Sequence, residues 1–296
     1  MAPFALLNAL VALLLASSTQ VLAQSCACGY KDSNGHVWRE AIISTFTQKA
    51  GALAAVNADW VIATDLEADQ PPTSTASIQY VTANVFEYQD ALGLKASAYD
   101  NSGSVKSAEI FTQRSDILFG SFRMQAQVPS VPGVVFGFFT YFNDTQEQDI
   151  EFLSSDSDYY QHVYYTNQPG QLPNGNVDPQ AAKSVEIPGA DFTTFGVHRI
   201  DWLPSSTIYS YAGSNHGATI KSTTTVTKNV PTTASEFVLN VWSNGDPNFS
   251  KGPPTADAIA TVQYVHCTST RRASPPRRSI RHVVARSISR NAVFKA

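Results

Sequence analysis

The sequence predicts an all-β protein, an antiparallel β-sandwich or jelly roll, on three observations. The chain is rich in Thr and Val and carries 12 Tyr and 16 Phe, and β-branched and aromatic residues favour strands over helices. Short apolar or alternating runs recur at regular spacing, with Gly, Pro, Asn and Asp clusters between them. Little in the chain reads as a convincing helix, and no short-period repeat is seen. Many short strands joined by turns are the pattern of a sandwich or jelly roll.

Taken in order, residues 1–23 read as a secretory leader. The apolar run from Ala5 to Ala16 is followed by Val21-Leu22-Ala23, which supplies the small residues of a cleavage site. Lys and Arg are missing ahead of the run. The run is too short for a membrane span. A secreted, extracellular protein starting near Gln24 is expected, with one domain over residues 24–267. Within it, Trp60-Val61-Ile62, Ile78 to Val81, Asn84 to Tyr88 and Leu92 to Ala96 read as strands. Ser107 to Thr112 and Leu118 to Ala126 follow, and then the nearly unbroken apolar run Val134 to Phe142, which suits a strand buried on both faces. Further strands are expected at Tyr159 to Asn167, Phe195 to Trp202, Thr207 to Ala212, Thr219 to Val226, Phe237 to Trp242 and Ala258 to Val265. Asn143-Asp144-Thr145 and Asn248-Phe249-Ser250 are N-glycosylation acceptors at Asn143 and Asn248.

The strand expected after Phe142 contains Glu147-Gln148-Asp149-Ile150-Glu151. Side chains two apart share one face of a strand, so Glu147, Asp149 and Glu151 line up, with Gln148, Ile150 and Phe152 opposite. Like charges in a row raise one another's pKa. A solvated strand face is the ordinary explanation for alternating acids, but this strand lies between apolar runs. Two-carboxylate chemistry on a sugar explains the row better.

With its surroundings, the row resembles glycoside hydrolase family 16, the laminarinase, licheninase and cell-wall transglycosylase group with a concanavalin A-like jelly roll. The family signature Glu-x-Asp-x-Glu is met by Glu147, Asp149 and Glu151. Ser107-Ala108-Glu109 with Phe119-Gly120-Ser121-Phe122 resembles the strands that precede it, and Val134 to Tyr141 the strand leading into it. Tyr164-Tyr165-Thr166-Asn167, Asp201-Trp202-Leu203-Pro204 and Leu239-Asn240-Val241-Trp242 follow in the family's order. The resemblance covers Ser107 to Val265, and more loosely the stretch back to Cys26. One residue between successive acids implies an unbulged strand, as in licheninases and transglycosylases.

The resemblance implies retaining hydrolysis of β-1,3 or mixed β-1,3/1,4-glucan. Glu147 would be the nucleophile, Glu151 the general acid/base, and Asp149 the hydrogen-bonding partner that adjusts both. A retaining pair needs carboxyl groups about 5–5.5 Å apart, whereas Cα atoms four apart on a strand are roughly 13 Å apart. The side chains must lean together. Aromatic rings stack against sugar faces, so Trp242 is the expected platform, with a core Trp as the alternative, and Asn240 two residues away shares its strand face. The resemblance implies the cleft-lining Glu109, and Gln161 and Tyr165 with Val163 on the cleft side of the Tyr-rich strand. Val163, Phe111 and Gln146 stand where licheninases carry Asn, Arg and Trp. A cell-wall β-glucan/chitin transglycosylase is the alternative enzyme, and a lectin-like sugar-binding module the alternative of another class. A monomer acting on polysaccharide is expected, without a nucleic-acid partner. No cofactor is expected; structural Ca²⁺ is common in the family, but no local ligand cluster locates it.

Cys26, Cys28 and Cys267 are the three cysteines. In an oxidising compartment one disulfide joining the two ends is expected, Cys28 or its neighbour Cys26 with Cys267. Cys-Ala-Cys lacks further partners at zinc-ligand spacing. There is no nucleophile elbow, phosphate loop or dinucleotide fingerprint. His36, His198 and His216 read as structural or surface residues. Residues 268–296 hold eight Lys and Arg and no acid, leaving 12 basic against 24 acidic residues in the rest of the chain. Disorder is the default for that composition. A basic run that binds acidic polymer and a translated intron or frameshift are the alternatives.

Overall fold

The computed structural model describes residues 25–26, 29–47 and 49–271. Near the N-terminus, β1 (Ser25–Cys26), β2 (Gly29–Lys31) and β3 (Val37–Trp38) form a small antiparallel sheet. Next come β4 (Glu40–Thr45), the helix α1 (Ala52–Asp59), β5 (Trp60–Ile62), β6 (Leu66–Glu67), β7 (Ser77–Tyr80), β8 (Val85–Tyr88) and β9 (Ala91–Ala96). The longer strands are β10 (Ser104–Thr112), β11 (Ile117–Gln127), β12 (Val135–Asn143), β13 (Gln146–Leu153), β14 (His162–Asn167) and β15 (Ala182–Glu186). The order closes with β16 (Gly196–Leu203), β17 (Ser206–Asn215), β18 (Ala218–Val226), β19 (Glu236–Trp242) and β20 (Ala258–Arg271).

One sheet of nine strands runs β15-β14-β13-β12-β19-β10-β7-β6, with β5 also on β10. A second of eight runs β18-β17-β16-β11-β20-β9-β8, with β4 also on β20. The two pack face to face as the expected antiparallel sandwich, in which β7 and β10 are the one parallel pair among the described residues. Alternation explains the core. Phe136, Phe138, Ile150, Phe152 and Tyr165 from the nine-stranded sheet meet Phe122, Ile200, Trp202, Tyr209 and Val265 from the other. Across the interface Phe122 stacks on Phe237 at 5.0 Å and Tyr165 on Tyr209 at 4.7 Å. Gln148, on the inner face of β13, is satisfied by two threonines: it donates to Thr140 Oγ1 (3.1 Å) and accepts from Thr207 Oγ1 (2.8 Å).

Helix α1 was not expected. It is Ala-rich and shallow, and it is held through Ala52 and Val56, four residues apart, both buried. The small N-terminal sheet is tied to the second large sheet through its turn. Arg199 Nη1 donates to Ser33 Oγ (2.8 Å), and Asn34 Nδ2 to Asp201 Oδ2 (3.1 Å).

Two expectations are corrected. Strand β20 continues through Thr268 to Arg271, paired with β11 as far as Ile117, so the sheet extends past the boundary drawn at Cys267. Cys267 is a free thiol. Its side chain alternates inward with Val265 into the core, and burial pushes its pKa up. The pairing expected of it with Cys28 or Cys26 is not seen among the described residues. Cys28, the leader at 1–23 and the tail from residue 272 onward lie outside the described residues.

Candidate active site

Register on the nine-stranded sheet places the acids. On β13, Glu147, Asp149 and Glu151 are paired across to Tyr141, Phe139 and Gly137 of β12 without a shift between them. Opposed residues in an antiparallel pair point to the same side, so the three carboxylates share the outer face while Ile150 and Phe152 enter the core. The strand is unbulged through the acids, as expected; the irregularity comes just before, between Tyr141 and Asn143. Glu147, Asp149 and Glu151 are only 8%, 3% and 8% exposed. A row of acids this buried cannot be a solvated face.

Burial, and then the charges of Glu147 and Glu151, push the Asp149 carboxyl well above the usual carboxylate range. A hydrogen bond with Glu147 adds to the upward push. Gln168 Nε2 donates to Asp149 Oδ2 at 3.0 Å. The middle carboxyl thus separates two outer ones, the pattern that pushes the roles of neighbouring acids apart.

Cross-strand rows extend the site. Beside Glu151, Gly137 faces Asn240 of β19, and Asn240 faces Glu109 of β10. Asn240 Nδ2 donates to Glu109 Oε2 (3.2 Å), while Asn240 Oδ1 is buried with no partner among the described residues. A Cβ on residue 137 would lie 2.7 Å from that oxygen, so glycine keeps the row open. On the other side of Glu151 stands Tyr164 of β14. Its hydroxyl donates to Asp156 Oδ2 (2.6 Å), and Lys251 Nζ reaches Asp156 Oδ1 at 2.7 Å. Burial, reinforced by that hydrogen bond, pushes the Tyr164 phenol up. His162 stacks on Tyr164 at 4.8 Å.

The expected sugar contacts divide. Glu109 and Asn240 lie on the carboxylate face. Tyr165 does not. Asp149 and Glu151 pair with Thr166 and Tyr164, so His162, Tyr164 and Thr166 face outward and Val163 and Tyr165 enter the core. Gln161 precedes β14, and its Nε2 donates to Glu186 Oε1 at 2.6 Å. A shift of one residue in pairing turns every side chain over, and here it replaces Tyr165 by Tyr164. Trp242 is on the expected face but 1% exposed, in a cluster with Val135, Leu153, Tyr164 and Phe249. Its ring is stacked on Phe249 at 5.9 Å, so it is packing rather than an open platform. Gln168 was missed, because nothing in Asn167-Gln168-Pro169 marks it. Gly137 and Tyr164 were in quoted motifs, but their roles depend on register.

Of the two glycosylation candidates, Asn143 is exposed at the β12–β13 turn, where its Oδ1 accepts from Thr145 N and Oγ1, both at 3.0 Å. Asn248 is also exposed, though the Ser250 of its motif is buried. Among the described residues, no group of three or more His, Cys, Asp and Glu is arranged to hold a metal ion. Among them, too, no helix is long and apolar enough to cross a membrane.

A jelly-roll sandwich with a buried carboxylate row on one outer sheet face defines the class: a carbohydrate-active β-sandwich. Residues 73–264 match the pattern of Glycosyl hydrolases family 16, and the chain belongs to that family. The Beta-glucanase of Bacillus subtilis (strain 168) is 28% identical over 131 residues, 42% of this chain and 47% of that protein. The match therefore spans about half the length of that relative. The structure of a Bacillus licheniformis beta-glucanase has a TM-score of 0.53 at 20% identity, covering 71% of this chain and 92% of that one. A transglycosylase solved in complex with NAG has a TM-score of 0.52 at 18% identity, covering 79% and 85%. Likenesses at these identities speak for the fold.

Proposed function

We propose that the chain is a retaining endo-β-glucanase acting on β-1,3 or mixed β-1,3/1,4-glucan, with Glu147 as nucleophile and Glu151 as general acid/base. The observation that carries the reading is the buried row itself; in this reading Asp149, its pKa pushed up, stays protonated between two other carboxyls. In the first step Glu147 attacks the anomeric carbon as Glu151 protonates the departing glycosidic oxygen. Water, giving its proton back to Glu151, then opens the glycosyl ester with net retention. Asp149 donates its hydrogen bond to Glu147 and is not consumed. Tyr164, beside Glu151, is the sugar contact of this reading, while the buried Asn240–Glu109 pair braces the row from the other side of Glu151. The leader-like residues 1–23 and the acceptors at Asn143 and Asn248 support an extracellular place of action.

The test incubates the protein with laminarin, barley β-glucan and labelled oligosaccharide acceptors, beside Glu147→Gln. Hydrolysis releases reducing ends, and Glu147→Gln reduces it on the order of a thousandfold or more. Longer labelled products in place of reducing ends would reassign the chain as a transglycosylase. Binding without products from either protein would leave a sugar-binding module and sink the enzyme reading.

A further inference from the structure

We propose that Gln168 is a positioning residue that decides which oxygen of Asp149 carries the proton, so that the proton faces Glu147. The inference rests on the reading of Glu147 as nucleophile. Three hydrogen bonds carry it. Gln168 N donates to Glu147 O (3.0 Å), which holds residue 168 against the start of the acid row. Gly170 N donates to Gln168 Oε1 at 2.9 Å. Gln168 Nε2 donates to Asp149 Oδ2 at 3.0 Å.

The order of donors and acceptors is forced. A backbone N–H can only donate, so the end of the Gln168 amide at Gly170 is its oxygen, and the end at Asp149 is its NH₂. Oδ2 of Asp149 must then accept. An oxygen that accepts from an amide is the poorer place for the proton, so the donation favours the proton of the neutral carboxyl on Oδ1, the oxygen left for the hydrogen bond with Glu147. The same donation partly offsets the upward push on Asp149, because it favours the charged form.

The segment that presents Gln168 is braced from outside the row. Asn167 Nδ2 donates to Lys228 O (2.9 Å), and Asn229 Nδ2 to Pro169 O (2.8 Å). Glu147 and Glu151 flank Asp149 on its own strand, with the uncharged Phe139 and Thr166 beside it on β12 and β14. Tyr209 of β17, its phenol pushed up by burial, packs from the opposite sheet, and Tyr141 and Glu236 stand in the row of Glu147. Among these, Gln168 acts on Asp149 as a directed donor with no charge of its own.

The test measures kcat, KM and the pH profile of glucan hydrolysis for Gln168→Leu, Gln168→Asn and Gln168→Glu, with Glu147→Gln as control and thermal unfolding as a check on folding. Gln168→Leu frees the Asp149 proton to turn away from Glu147. A fall of about tenfold in kcat is expected, the size of one lost oriented hydrogen bond, with KM little changed. The acidic limb of kcat/KM should move to higher pH by roughly half a unit or more. In Gln168→Glu the donor exists only while residue 168 is protonated, so activity should recover toward low pH relative to the Leu variant. Gln168→Asn keeps both amide functions on a shorter arm and stands in if the Leu variant does not fold. Unchanged kcat and pH profile in folded Gln168 variants, beside an inactive Glu147→Gln, would overturn the inference alone. An inactive wild-type chain, or full activity in Glu147→Gln, overturns the functional reading and the inference with it.

Discussion

His198 gives the sharpest test of the packing beneath the site. It lies on β16 and is 1% exposed, and neither ring nitrogen has a hydrogen-bond partner among the described residues. Phe152, Phe192 and Tyr211 surround it with ring centroids 4.8, 5.2 and 4.9 Å away. Phe152 directly follows Glu151, so this aromatic box supports the end of the carboxylate strand from the inside. Burial lowers the His198 pKa from 6.5 to about 3. The unfolded chain takes up a proton below about pH 6.5 that the folded chain refuses. Stability tied to this residue is therefore intact above pH 6.5 and is lost progressively as pH falls toward 3. Each pH unit in that window costs about 1.4 kcal/mol. Between pH 7.5 and 5 the loss comes to about 2 kcal/mol. Other groups titrate in the same window, so the measurement is a difference. Urea unfolding of the wild type and of His198→Phe is followed at both pH values. The wild type should lose about 2 kcal/mol more than the variant. Any overpacking by Phe is independent of pH and cancels. Parallel losses in the two proteins would show that His198 is not held neutral, and the reasoning would fail.

Two further substitutions address the acid row directly. Asp149 has a raised pKa, so as pH climbs past about 4 the unfolded chain releases a proton that the folded chain keeps, and stability falls with rising pH. Asp149→Asn has no proton to release, so its thermal midpoint should exceed that of the wild type at pH 7, with the gap closing toward pH 4; equal midpoints at both pH values would contradict the protonated carboxyl. Gly137→Ala drives a methyl to 2.7 Å from Asn240 Oδ1, and overpacking of this kind costs about 1–3 kcal/mol. Its unfolding midpoint should drop by several degrees, about 2–4 °C per kcal/mol, and an unchanged midpoint would mean that the Asn240–Glu109 row is not rigid.

The sandwich was legible because each strand carries its own evidence. Val134 to Phe142 is apolar on both sides because Val134, Phe136 and Phe138 enter the core while Val135, Gly137 and Phe139 lie on the carboxylate face; Phe142, at its end, is exposed. The acid row was legible for the opposite reason: buried acids break the alternation, so they stand out. Helix α1 was missed because eight residues with two buried positions make a weak periodic signal. The neighbour of the acid row, β14, shows where pattern runs out. Val163, Tyr164 and Tyr165 are all buried, and a strand buried on both faces contains nothing that says which face is which. Its orientation is set by the connection Ser154 to Gln161, which brings Tyr164 rather than Tyr165 opposite Glu151. Packing then confirms the choice, since Tyr165 stacks on Tyr209 of the other sheet. Trp242 errs for a related reason. An aromatic ring beside a sugar site and one that closes a small cluster follow the same alternation, and only its contact with Phe249 separates them. Gln168 lies one residue past the strand, and its meaning comes from two acceptors and a donor brought to it by the fold. Residues whose role contradicts burial can be read from sequence, whereas residues whose role and packing call for the same side chain are assigned only once register is known.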